Sequence, residues 1–92
     1  MQATQPVIHS WIYKSLKYDE LYLYLTAEND FSAIPKSLSK RLGKLQLVMN
    51  LALSDTRPLA REDVTQVMKN LSDTGFHLQL PEHFSPQMFY GD

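Results

Sequence analysis

Ninety-two residues with a formal charge of −1 make one small domain, too near neutrality to draw nucleic acid or an anionic membrane except through a local patch. The chain has no cysteine, which excludes disulfides and thiolate metal sites and suits a reducing compartment. Its apolar fraction of 43% and aromatic fraction of 11% are those of a folded globule, and no window approaches the roughly 18 apolar residues of a membrane span.

Residues 1–6 (Met-Gln-Ala-Thr-Gln-Pro) read as a loose lead-in without the basic and apolar regions of a signal peptide, so the cytoplasm is the expected location. Residues 7–15, with Val7, Ile8, Trp11, Ile12 and Tyr13, carry the β-branched and aromatic side chains of a strand. Residues 21–27 repeat the theme, and the polar stretch 17–20 between them can turn. An even hairpin loop pairs Tyr13 with Tyr24, Ser15 with Tyr22, Ile12 with Leu25 and Leu16 with Leu21. Its predicted result is an aliphatic face (Ile12, Leu16, Leu21, Leu23, Leu25) and an aromatic-polar face (Trp11, Tyr13, Ser15, Tyr22, Tyr24, Thr26). An odd loop would oppose Tyr to Leu and mix the faces, against the two-residue period of strand side chains.

Glu28-Asn29-Asp30 is turn chemistry. Pro35 then suits a first helical turn, Ile34, Leu38 and Leu42 draw a thin apolar stripe, and Gly43 supplies a left-handed stop. The stretch 45–53, Leu-Gln-Leu-Val-Met-Asn-Leu-Ala-Leu, is the most apolar window of the chain. Leu45, Val48, Met49 and Ala52 fit helical spacing, but a helix ending at Gly43 makes the strict alternation a fresh strand. It is expected to be an inner strand with a buried Leu/Met face, so that Met49→Asp unfolds the domain and Gln46→Ala does not.

Residues 61–73 carry the clearest helical pattern, with Val64, Val67, Met68 and Leu71 on one face and Glu62 and Asp63 suited to the N-terminal dipole. Gly75 closes it, with Leu71 and Phe76 as the hydrophobic pair of a Schellman stop. Residues 76–80 alternate as a last strand up to Pro81, and 82–92 is expected to be a partly ordered tail whose Phe84, Met88, Phe89 and Tyr90 could dock. The fold class is therefore α/β, in the order β-β-α-β-α-β over residues 7–81. Helix-joined strands usually run parallel with right-handed crossovers. That predicts a four-stranded mixed sheet with its first and last strands neighbours or near neighbours.

Five motifs stand in register along this path: Tyr13-Lys14-Ser15-x-Lys17, Tyr22-Leu23-Tyr24, Asp30-Phe31-x-x-Ile34-Pro35-x-x-Leu38, Gln46-Leu47-x-Met49 and Leu78-Gln79-Leu80-Pro81. From about Ser10 to Pro81 the chain resembles the YcgL-domain family. The resemblance implies a small bacterial cytosolic protein built as an α/β/α sandwich. It implies no activity, because the family has no established one, and it carries no site residue onto this chain.

Three constellations compete for function. The aromatic face (Trp11, Tyr13, Tyr22, Tyr24), with Lys14 and Lys17 close in sequence, is how some modules stack single-stranded bases and hold phosphates. In a three-layer fold, however, a helix would cover it, and Lys14 has the parity of the aliphatic face. The run Lys36, Lys40, Arg41, Lys44, with no acid among residues 31–53, could hold RNA or an acidic partner, or be a solvated helix face that complements the dipole. The acids Asp19, Glu20, Glu28 and Asp30 lie in turns, where Asp30 reads as a turn or cap group. His9, His77 and His83 lack metal-ligand spacing. A small hydrolase or transferase would need a cleft lined by two or more of Asp19, Asp30, His9 and His77. Asn50, midway along an apolar strand, is either hydrogen-bonded at the sheet face or lines a pocket with Gln46 and Gln79. The leading expectation is a non-enzymatic module for an unknown protein partner, with no cofactor, metal or membrane. RNA binding comes second and an enzyme third.

Overall fold

The computed structural model describes residues 7–59 and 62–81. The elements run β1 (Ile8–Ser15), β2 (Tyr22–Leu25), α1 (Lys36–Leu42), β3 (Leu45–Leu53), α2 (Val64–Thr74) and β4 (Phe76–Gln79). The strands form one sheet in the order β3-β1-β2-β4, and every neighbouring pair is antiparallel. The expected mixed sheet is thus corrected. The α1 connection does bring β3 parallel to β2, but on the far side of β1, and α2 then carries the chain to the opposite edge. Among the described residues no two parallel strands touch. The predicted lead-in 1–6 and tail 82–92 lie outside the described residues.

One helix packs on each face. Leu38 and Leu42 of α1, with Ile34 before it, meet Tyr13, Leu21, Leu23, Leu25 and Leu78, with Trp11 and Phe76 packed alongside. Val64, Val67, Met68 and Leu71 of α2 meet Ile12, Tyr24 and Leu53, with Ile8, Tyr22 and Leu51 at the margin. The apolar stripes read from the sequence are these buried helix faces.

The hairpin register differs by one residue from the expected one: Trp11 pairs with Leu25, Ile12 with Tyr24, Tyr13 with Leu23 and Lys14 with Tyr22. The even-loop rule assumes that a slip exposes apolar side chains. Here both faces are covered by helices, so a mixture of Tyr and Leu on each is equally buried and the slip carries no penalty. Polar ties at the turn decide instead. Ser15 N–H donates to Leu21 O at 3.0 Å. The buried Ser15 hydroxyl donates to Leu42 O at 2.8 Å and accepts from the N–H groups of Lys17 (3.0 Å) and Tyr18 (3.1 Å). One side chain therefore joins the end of β1, the turn and the end of α1. Ser15→Ala is expected to destabilise the fold by about 1–3 kcal/mol in urea melts, because three backbone groups lose their partner. Ser32→Ala, in an exposed turn where Ser32 only donates to Asp30, should change little.

The strand β3 has the predicted bounds but not the predicted place. It is an edge strand, and Leu47, Val48 and Met49 are exposed, Met49 at 51%. An apolar alternating run identifies a strand; it does not say how many neighbours the strand has. Its pairing with β1 shifts between Ile12↔Met49 and Tyr13↔Leu47, which leaves Val48 as the extra residue of a β-bulge. Asn50, exposed, lies 3.4 Å from His9 Nε2 through its Oδ1.

The helix ends are set by chemistry visible in the sequence. α2 starts later than predicted because Asp63 is its N-cap, accepting from Thr65 N–H at 3.0 Å. It stops at Gly75, whose φ of 89° is left-handed and whose N–H reaches Leu71 O at 3.0 Å, the single-bond αL stop rather than a Schellman pair of bonds. α1 starts just after Pro35 and ends at Gly43, where φ 73° and ψ −151° define a backbone region open essentially to glycine alone.

Candidate functional site

The residues singled out as a stacking platform do not share a surface. Trp11 and Tyr13 point to the α1 side, Tyr22 and Tyr24 to the α2 side. Tyr13 is 2% exposed, and its hydroxyl accepts from Asn29 N–H at 2.7 Å, which anchors the turn where Asn29 holds φ at 60°. Tyr24 is 5% exposed. A base has no open tyrosine pair to stack on. Lys14 also changes place: the true register sets it opposite Tyr22, on the side of the remaining tyrosines.

The basic residues lie along α1 and just beyond its end. Lys36, Lys40 and Lys44 are exposed, and Arg41 is half-buried. Lys17 lies against Gly43, where an added Cβ would meet Lys17 Cβ at 3.2 Å, and its Nζ sits 5.3 Å from the centre of the Tyr18 ring. Leu16, Lys17, Gly43 and Lys44 line a shallow, open depression there.

The better-formed concavity is on the other face, where α2 leaves part of the sheet uncovered. Ile12, Tyr22, Tyr24, Val48, Met49, Leu51, Leu59 and Gln79 line a groove of about 250 Å³. It runs across all four strands, from Gln79 on β4 through Tyr22, Tyr24 and Ile12 to Met49 on β3. The bulge sets two successive β3 side chains, Val48 and Met49, along it. Among the described residues that line it, none is charged. Its polar fixture is the Tyr24 hydroxyl, which donates to Gln79 Oε1 at 3.0 Å in a buried position. Of Gln46, Asn50 and Gln79, only Gln79 lines the groove, so the alternative of a carboxamide pocket around Asn50 is not formed, and Asn50 faces His9 at the sheet instead.

Burial, then the nearby Glu62 and Tyr22, push the Tyr24 phenol above its ordinary value. The fold therefore favours the neutral phenol. Its contribution to stability is fully present below the ordinary tyrosine pKa of about 10 and is lost as pH rises through the higher folded-state value. Tyr24→Phe is expected to flatten this alkaline loss while costing about 1 kcal/mol near neutrality, where Gln79 loses its donor. Urea unfolding as a function of pH measures both effects.

Beside the groove, His77 is held at both ring nitrogens. Its Nε2–H donates to Glu62 Oε1 at 2.5 Å, and Asn70 Nδ2 donates to Nδ1 at 2.9 Å. Gln66 Nε2 donates to Asn70 Oδ1 at 2.9 Å, which fixes the amide orientation on which this tautomer rests. His77 thereby clips β4 to α2 and to the chain before it. Asp30 accepts from Ser32, whose hydroxyl and N–H hold its carboxyl below the usual range, the turn role expected of it. None of Asp19, Asp30, His9 and His77 lines the groove. Among the described residues every buried side-chain nitrogen and oxygen has a hydrogen-bond partner, no group of three or more histidines and acids is placed to hold a metal, and no helix is long and apolar enough to cross a membrane.

The groove was not predictable from the sequence. Tyr22 was singled out for a different surface, and Val48, Met49 and Gln79 meet there only because β3 and β4 add to opposite sides of the hairpin.

Comparison with known proteins gives the chain a family. A model described as the YcgL domain matches residues 10–82. Protein YcgL of Escherichia fergusonii is 43% identical over 70 residues, covering 76% of this chain and 72% of that protein. A YcgL domain-containing protein of Pseudomonas fluorescens matches with the same figures: 43% over 70 residues, 76% and 72%. Protein YcgL of Salmonella agona is 40% identical over 85 residues, covering 87% of this chain and 83% of its own length. None of these names states an activity or a partner. The match spans the hairpin, both helices and all four strands, and the chain belongs to the YcgL-domain family.

Proposed function

We propose that the chain is a non-enzymatic protein-binding module, taking an uncharged, extended segment of a partner protein along the outer edge of β3 and over the adjoining groove. The observation that carries this reading is β3 itself. It is a nine-residue edge strand without a single charge or proline, and it exposes Leu47, Val48 and Met49. Edge strands ordinarily carry lysine, proline or inward-facing charges that discourage pairing. Here only the bulge interrupts the edge, and it does so where apolar side chains turn into the groove. An added strand would satisfy the outer backbone groups and cover the apolar side chains in one step, the mode known as β-augmentation.

Selecting a random dodecapeptide library on the immobilised chain tests this. Enriched peptides should be uncharged and rich in large apolar residues. Their binding should shift the amide resonances of β3, Tyr22 and Tyr24, and should weaken at least tenfold in Met49→Asp. Enriched peptides whose shifts map to α1 would overturn the reading.

A second reading is supported by the depression lined by Lys17, Gly43 and Lys44 at the end of α1, whose last turn carries Lys40 and Arg41: contact with RNA phosphates or an acidic partner. Most such depressions are solvated helix ends, and Lys40 and Arg41 already complement the dipole of α1. Titration with a labelled oligonucleotide at low and then moderate salt decides it, because phosphate contacts must weaken steeply with salt.

A further inference from the structure

We propose that the outer edge of β3 pairs with a second copy of this chain, the two β3 strands running antiparallel about a two-fold axis that passes between Val48 and Met49. The pairing rests on the protein-binding reading for the use of that edge. It names one occupant and, with it, how the site is regulated.

The edge comes first. Among the described residues β3 has one neighbour, β1. It offers nine residues without charge or proline, and Leu47, Val48 and Met49 are 38%, 40% and 51% exposed. The residues of β3 that pack with the two cores are Leu45, Leu51 and Leu53, towards its ends. Its middle, from Gln46 to Asn50, is exposed.

The bulge then selects the register. Leu45, Leu47, Asn50 and Ala52 stand opposite Ser15, Tyr13, Trp11 and His9, on the α1 side. Gln46, Met49, Leu51 and Leu53 stand opposite Lys14, Ile12, Ser10 and Ile8, on the α2 side, and Val48 joins Met49 there. Odd positions before the bulge therefore share a face with even positions after it. Residues paired across neighbouring strands must project from the same face of the sheet. A two-fold axis through any one residue sets odd opposite odd, and so joins opposite faces across the bulge. An axis between Val48 and Met49 sets odd opposite even. Leu45 then meets Ala52 of the other copy, Gln46 meets Leu51, Leu47 meets Asn50 and Val48 meets Met49, every pair on one face. Moving the axis to either neighbouring gap sets Leu47 against Val48, or Met49 against Asn50, from opposite faces. The backbone follows the side chains, because residues of one face share one orientation of N–H and C=O.

Chemistry agrees with the geometry. All of these pairs are uncharged, and Lys44 of each copy falls at opposite ends of the ladder, about 30 Å apart. Exposed Val48 and Met49 of both copies meet at the axis. A ladder about 25 Å long on a sheet about 10 Å thick covers well under the roughly 800 Å² per partner of a stable dimer. The pair is therefore weak and set by concentration, and it closes at two because each copy has used its β3 edge. A partner's segment must displace the second copy, so its apparent affinity falls as the chain becomes more concentrated.

Sedimentation of the full chain over a roughly hundredfold range of concentration should show a monomer–dimer equilibrium. Val48→Lys and Met49→Asp, each alone, should weaken it at least tenfold, as charge on an edge strand does. An equal mixture of the two variants should recover it, because the register sets the new ammonium opposite the new carboxylate. In a mixture of isotope-labelled and unlabelled parent chains, filtered NOEs should join the Val48 methyls of one copy to the Met49 methyl of the other, which tests the register without any variant. A parent that stays monomeric, a dimer indifferent to both substitutions, or a mixture no stronger than either variant alone would overturn the proposal. A monomeric parent whose β3 still binds library peptides would sink the second copy and leave the protein-binding reading standing. A dimer with these contacts and no enriched peptide would do the reverse.

Discussion

Leu23→Ala is expected to lower the unfolding free energy by roughly 2–5 kcal/mol, whereas Met49→Asp should change it by no more than about 1 kcal/mol. Leu23 is fully buried in β2, an inner strand, and packs on the α1 side with Tyr13, Leu38 and Leu42. Truncation leaves a cavity in a layer whose neighbours are held from two sides: β2 is paired on both edges, and Tyr13 is tied to Asn29. The layer relaxes little, which places the cost in the upper part of that range. Met49 sits on an edge strand with half its surface in solvent, where a carboxylate stays hydrated and only strand propensity and one side of packing are lost. This reverses the expectation drawn from apolarity alone. Urea melts with unchanged m-values measure both substitutions, and a Met49→Asp chain that failed to fold would contradict the edge placement of β3.

Gly75→Ala should cost about 2 kcal/mol or more, for two separable reasons. Its φ of 89° lies where an L side chain is strained by roughly 1–2 kcal/mol. The added Cβ would also stand 2.8 Å from Ala33 Cβ, an atom that cannot move without its backbone. Combining Gly75→Ala with Ala33→Gly should recover the steric part and leave the torsional part, so the double mutant should melt between the single mutant and the parent. Full recovery would show that the left-handed backbone carries no strain, and no recovery that the contact is irrelevant.

Local chemistry was readable in the sequence, and spatial neighbourhood was not. The span of β3, the stripe of α2 and the stops at Gly43 and Gly75 follow from period and from the conformations glycine permits. Residues that look alike from either side of the sheet were misread. Leu21, Leu23 and Leu25 belong with Tyr13 rather than opposite it, because two covered faces remove the contrast that parity needs. Ser15 looked like an unremarkable strand residue, yet its hydroxyl holds three backbone groups and thereby the register. Lys14 and Tyr22, expected on opposite faces, stand on the same face in that register. The groove needed the strand order, which depends on where two crossovers land, and neither landing site is written in the period of the strands.

The order β3-β1-β2-β4 also shapes how the molecule opens. The two outer strands share no ladder; each hangs from its own side of the central hairpin. β3 can thus open from β1 without breaking the β2–β4 ladder, so the sheet has two separable seams, eight pairs holding β3 and four pairs plus the His77 clip to α2 holding β4. Native-state hydrogen exchange should resolve them. The β3 amides bonded to β1 should exchange through a partial opening well below the global unfolding energy. The amides joining β2 to β4 should be released only with the whole fold.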